Sequence, residues 1–154
     1  MRLYNLSDAT HALINISLKR MKVSRIADLN DPFELLSVNL RDKRLRDSFR
    51  TAKEKINSES GVLCFSRSWS NPVLWSHYAD KHRGICLGFD VDDRCVMPVS
   101  YETDLTKFAP DASASETILT RKYMKKLLST KFKDWAYEDE VRVYVELDPR
   151  TVEA

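Results

Sequence analysis

Val141, Val143, Val145 and Leu147 alternate with Arg142, Tyr144 and Glu146 near the end of the chain. That two-residue period is the signature of a strand with one apolar face. Continued backwards, the alternation places Glu138 and Glu140 on the polar face beside Arg142 and Tyr144. Residues two apart on a strand lie roughly 6–7 Å from each other, so two carboxylates and a guanidinium crowd one sheet edge. Such a cluster can grip a hydroxyl or steady a developing positive charge. The alternative is a solvated face of partly exposed ion pairs, each worth about 0–1 kcal/mol.

Similar patterns order the rest of the chain. Leu3–Asn5 reads as a strand, and Ser7 caps a helix running to about Arg20 with Ala9, Leu13 and Ile16 as its apolar stripe. Lys22–Ser24 is a second short strand. Asn30 and Asp31 form a turn, with Asp31 held extended by Pro32, and turn chemistry leaves Glu34 unexplained. A helix from about Leu40 to Asn57 carries Leu45, Phe49, Ala52 and Ile56 on one side. Val62–Ser66 follows as a strand. Asn71 caps a short helix opened by Pro72, which runs to about Asp80. Gly84–Asp90 is apolar nearly throughout and reads as a central strand. Met97–Tyr101 reads as an edge strand because Pro98 cannot donate to a ladder. A polar linker from Glu102 to Ser113 precedes a last helix over Ser115–Thr130, with Ile118, Leu119, Tyr123, Leu127 and Leu128 as its apolar residues. The expectation is a single α+β domain over residues 1–154, with a mixed or mostly antiparallel sheet of about six strands and about four helices.

Composition narrows the function classes. A net charge of +2 is too small to imply a nucleic-acid or membrane partner. The helix face between Arg41 and Lys55 holds seven basic and three acidic residues, but no aromatics interleave there for base stacking. No apolar run reaches the ~20 residues of a membrane span, and the first residues lack a signal-peptide core, so the expected location is cytoplasmic. A Gly-rich phosphate loop is missing from the sequence, which argues against Rossmann-type and kinase-type nucleotide sites. Cys64, Cys86 and Cys95 are odd in number without a CxxC pair, as expected of reduced thiols. The apolar surroundings of Cys64 and Cys86 raise a thiol's pKa and argue against a nucleophile. His77, His82 and Cys86 match no common zinc spacing, so no metal is expected.

Three segments carry a resemblance. Leu29-Asn30-Asp31-Pro32-Phe33-Glu34, the stretch Leu74-Trp75-Ser76-His77-Tyr78-Ala79 through Gly84, and Trp135-Ala136-Tyr137-Glu138-Asp139-Glu140-Val141-Arg142 are similar to motifs of domain-of-unknown-function family 2971, found in bacteria and phages. Leu3-Tyr4 and Cys64-Phe65-Ser66 fit that pattern as well. The family's layout in turn resembles, more remotely, that of ADP-ribosyltransferases. Those enzymes place one residue on an early strand, an aromatic or hydroxyl residue on a middle strand and a glutamate on a late strand.

The resemblance implies NAD as substrate, a protein or nucleic-acid acceptor, and a role as a toxin or in phage defence. Tyr4 or Ser24, Ser66 or Tyr78, and Glu138 with Glu140 would be the counterparts, although the usual early basic residue has none at position 4. On that reading Glu140 holds the ribose, Glu138 orients or deprotonates the acceptor, and His77 joins them as a catalytic candidate. Arg142 holds phosphate, Trp75 and Tyr78 flank the nicotinamide, and Asn30 bonds its amide. Two other readings stay open. One is a non-catalytic module binding a nucleotide or a protein through the same cleft. The other is a ribonuclease using His77 and His82 as acid and base. A buried structural network around Trp75, Tyr78, Trp135, His77, Glu138 and Arg142 would leave no active site there.

Overall fold

The computed structural model describes residues 1–29, 43–103, 126 and 128–147. Seven strands appear among them: β1 (Arg2–Ser7), β2 (Ser60–Ser66), β3 (Ile85–Asp90), β4 (Met97–Pro98), β5 (Ser100–Glu102), β6 (Thr130–Phe132) and β7 (Glu140–Glu146). The α-helices are α1 (Ala9–Leu18), α2 (Lys43–Glu59) and α3 (Pro72–Tyr78). Three short 3-10 turns span Ile26–Asp28, Asp93–Cys95 and Lys133–Glu138. Five strands form one antiparallel sheet in the order β3-β1-β2-β7-β4, while β5 and β6 pair in parallel as a separate two-stranded sheet. The chain is α+β, with a mostly antiparallel sheet.

Register divides the large sheet into two unlike faces. Leu3 of β1, Phe65 of β2 and Val141 of β7 are buried together, with Leu63, Phe89, Val91, Val96 and Val143 packed against them. Phe65 and Phe89 meet edge to face, with ring centroids 5.7 Å apart. Fully burying each such side chain contributes about 1.5–3 kcal/mol. The opposite face is polar. Tyr4 opposes Ser66 and Ser66 opposes Glu140, so the three residues form one row across β1, β2 and β7, because directly opposed residues share a face. Cys64 opposes Arg142 in the next row and Val62 opposes Tyr144 in the one after.

Several expectations need correction. The cap of α1 is Asp8, whose carboxylate accepts from the His11 amide at 3.0 Å, and Ser7 instead completes β1 opposite Ile85. The helix stops at Leu18 because Lys19 takes a left-handed conformation. Its buried residue is Ala12, whereas Leu13 and Ile16 are 57% and 55% exposed. Lys22–Ser24 is no strand, since only Ser24 makes a bridge, to Val62. The strand over Met97–Tyr101 splits. Met97 and Pro98 pair with β7 at the sheet edge, while Ser100–Glu102 leaves to join Thr130–Phe132.

β3 is an edge strand of the described sheet and not a central one. Its apolar run misleads because Phe89 feeds the core while Gly88 is covered by Arg2, whose guanidinium would stand 3.1–3.3 Å from a Cβ at that position. The turn at Asn30, Asp31 and Glu34, the linker after Thr103 and nearly all of the last expected helix lie outside the described residues. Lys126 and Leu128 are helical.

The segment joining α3 to β3 is tightly wound. Asn71 caps α3 by accepting from the Val73 amide at 2.9 Å, with Pro72 in the first turn as the sequence indicates. Asp80, Lys81 and His82 then all adopt positive φ. The Trp75 carbonyl accepts from both Ala79 and His82, at 3.2 and 3.1 Å. Gly84 closes the turn where a Cβ would lie 2.2 Å from the Ser7 carbonyl oxygen and 2.7 Å from Ala79 Cα.

Candidate functional site

The polar face of the sheet forms the floor of a cleft of about 270 Å³. Tyr4, Ser24, Ser66 and Tyr78 supply hydroxyls to its wall, and Lys22, Asp28 and Leu29 also line it. Lys131, Glu138, Glu140 and Arg142 line its charged end.

These four charges are not a solvated strand face. Their exposures are 4%, 4%, 5% and 1% in chain order, and they form one connected network. Lys131 Nζ stands 2.6 Å from Glu138 Oε2 and 3.2 Å from Glu140 Oε2. Arg142 donates from Nε to Glu140 Oε1 at 2.8 Å and from Nη2 to Oε2 at 3.1 Å. Its Nη1 donates to the Leu128 carbonyl at 3.0 Å, which also accepts from the Tyr144 hydroxyl at 2.8 Å. Among the described residues, two cations therefore face two anions. Burial of this kind is tolerated only when each charge is paired and hydrogen-bonded.

Glu138 joins the cluster by a different route from the one its spacing suggests. Residues Lys133–Glu138 are a 3-10 turn, and Asp139 with φ of 43° breaks the chain direction before β7 begins. Glu138 thus does not continue the strand alternation but drops onto Lys131. Its Oε1 accepts a short hydrogen bond from the Tyr78 hydroxyl. This contact joins α3 to the final segment, as does the Asn71 side-chain amide donating to the Tyr137 carbonyl at 3.0 Å. Tyr78 and Asn71 thus bring the two motifs side by side.

Electrostatics follow from this geometry. Burial raises the Glu140 carboxyl, but the Arg142 guanidinium, Lys131 and the Cys64 thiol outweigh it and hold the group below the usual carboxylate range. Burial and the Glu140 charge push the Cys64 thiol well upward, so it is a poor nucleophile. Its surroundings are this polar network, which differs from the apolar setting read from the sequence. The Tyr101 hydroxyl accepts from the Glu140 amide at 2.8 Å, and burial pushes its pKa up to about 12.

Of the sequence-derived candidates, the cleft unites Tyr4, Ser24, Ser66, Tyr78, Glu138, Glu140 and Arg142. Trp75 and His77 stand off its wall. The Trp75 indole donates to the Trp69 carbonyl at 2.6 Å. The His77 ring is exposed and stacks on Tyr137 at 6.1 Å, with Trp135 at 6.3 Å. His82 is exposed in the left-handed turn. Asn30 lies outside the described residues. Arg142 commits its guanidinium to Glu140 and Leu128, which leaves Lys22 as the exposed cation among the described residues of the wall.

Lys131, Tyr101 and Cys64 were not singled out as site residues. Lys131 is seven residues from Glu138 across an irregular turn, and Tyr101 comes from a different sheet, so no periodic signal links either to Glu140. Among the described residues no three His, Cys, Asp or Glu side chains converge as a metal site, and no helix is long and apolar enough to cross a membrane.

Residues 74–143 match the model of the family described as "Protein of unknown function (DUF2971)". The match runs from within α3 to within β7, under half of the chain, and agrees with the resemblance read from the two motifs it contains. No match was found among curated proteins or among solved structures.

Proposed function

We propose that the polar-face cleft binds NAD and that the domain transfers its ADP-ribose to a protein or nucleic-acid acceptor, a chemistry suited to a toxin or to phage defence. The observation that carries this reading is the row Tyr4, Ser66 and Glu140 on three adjacent strands, at the wall of one cleft. An early-strand residue, a middle-strand hydroxyl and a late-strand glutamate are the parts that such transfer uses in the enzymes the layout resembles. The cleft is near the small end of ligand sites, which run from about 300 to 1,000 Å³, so it suits the nicotinamide riboside end of the molecule.

In the reaction the bond between nicotinamide and ribose breaks, and nicotinamide leaves with the bonding pair. The ribose becomes oxocarbenium-like, as in glycoside cleavage. Glu140 is ionised and fixed on the cleft floor, where a preorganised carboxylate stabilises that charge most in the transition state. An acceptor hydroxyl then bonds to the ribose carbon, and its proton passes to Glu138. Incubation of the protein with labelled NAD and cell lysate tests this. Nicotinamide release together with label on an acceptor supports the reading, and the absence of both rejects it.

A second reading, a binding module without catalysis, draws on the pairing of both glutamates within the network. Both glutamates are already paired with buried cations, an arrangement that also serves simply to fix the fold. A melting shift with NAD or another nucleotide, without turnover, would support it.

A further inference from the structure

Tyr101 and Lys131 oppose each other in the parallel pair β5–β6, and both contact Glu140 from outside its own sheet. Tyr101 fixes the backbone of Glu140 by accepting its amide hydrogen at 2.8 Å. Lys131 fixes the side chain through Oε2 at 3.2 Å and holds Glu138 with the same ammonium group at 2.6 Å. The Trp135 ring covers that ammonium, with Nζ 4.8 Å from the ring centroid, a favourable cation–π contact. The one ammonium group thus ties the two carboxylates together.

We infer that Tyr101 and Lys131 are positioning residues, through which the two-stranded sheet sets the orientation of Glu140 and Glu138. This rests on the transferase reading above. The small sheet then has a specific task. It carries no residue of the Tyr4–Ser66–Glu140 row, yet it delivers two groups to one glutamate from adjacent positions on paired strands. Neither group needs to touch the ligand for the geometry of Glu140 to depend on it.

The test compares wild-type protein with Tyr101→Phe, Lys131→Arg and Lys131→Met, each held below its own melting temperature. Nicotinamide release from NAD is measured to give kcat and KM separately. Misplacing a reacting group by about 1 Å costs up to about a hundredfold. Tyr101→Phe is therefore expected to lower kcat about tenfold with KM within about twofold. Lys131→Met is expected to lose more, and Lys131→Arg to recover part of the loss. Should Lys131→Met fail to fold, Tyr101→Phe and Lys131→Arg decide the matter. Wild-type kcat in both would overturn the positioning role while leaving the transferase reading intact. A wild-type protein that releases no nicotinamide would remove that reading, and the positioning role with it.

Discussion

Arg142 grips Glu140 with two parallel hydrogen bonds, Nε to Oε1 at 2.8 Å and Nη2 to Oε2 at 3.1 Å, in a setting where both side chains are almost fully buried. This bidentate arrangement is among the strongest and most directional of side-chain contacts. It excludes the alternative of a partly exposed pair on a solvated face.

Glu140→Gln strands an excess of buried positive charge between Arg142 and Lys131. Loss of one partner from a buried pair costs about 3–5 kcal/mol, so denaturant unfolding should show a fall of that size. Adding Lys131→Met removes one of the two cations left facing the lost carboxylate. The double variant should be more stable than Glu140→Gln alone. Additive losses from the two substitutions would show that the charges are not coupled as the geometry requires.

Acid should unfold the protein through this site. Glu140 binds a proton less readily when folded than when unfolded, because Arg142 and Lys131 outweigh its burial. Its contribution to stability is fully present above the unfolded value of about 4.3 and is lost as pH falls through the lower folded value. Thermal melts across that range should show the loss in wild type and a weaker slope in the Glu140→Gln, Lys131→Met double variant. Equal slopes would place the acid sensitivity elsewhere.

Base should act through Tyr101. Its folded pKa of about 12 lies above the ordinary value of 10.0, so the unfolded chain releases the proton first. The stability this gives is complete below pH 10.0 and disappears as pH rises through about 12. Alkaline unfolding curves of wild type and Tyr101→Phe should therefore separate in that window. Superimposable curves would mean that Tyr101 does not couple to folding.

Gly84→Ala tests the turn after α3. The added methyl would meet the Ser7 carbonyl oxygen at 2.2 Å and the Ala79 backbone at 2.7 Å, and neither is the end of a flexible side chain. Overpacking of this kind costs about 1–3 kcal/mol, and the expected result is a lower denaturation midpoint. Because the turn positions Tyr78 over Glu138, any activity should fall with it. An unchanged midpoint would show that the turn relaxes freely.

Much of this arrangement was legible in the sequence where local chemistry dictates it. The alternation from Val141 to Leu147 correctly separated the core face from the polar face of β7, and Asn71-Pro72 correctly marked the start of α3. The failures have physical causes. Alternation run back to Glu138 ignored Asp139, whose left-handed conformation changes the chain direction. The apolar run of β3 suggested a central strand, although an edge strand with one covered face and a glycine under Arg2 has the same composition. Lys131 was invisible because its partners come from a turn and from another sheet, and pairing between sheets leaves no period in the sequence.

The rate of nicotinamide release from NAD, measured for wild type and for Glu140→Gln at a temperature where both are folded, tests the central claim most directly. If Glu140 stabilises the ribose charge, wild type releases nicotinamide and the variant is slower by about 10²–10³, the usual cost of losing one preorganised electrostatic group. Equal rates in the two proteins, or no release by wild type, would contradict the claim.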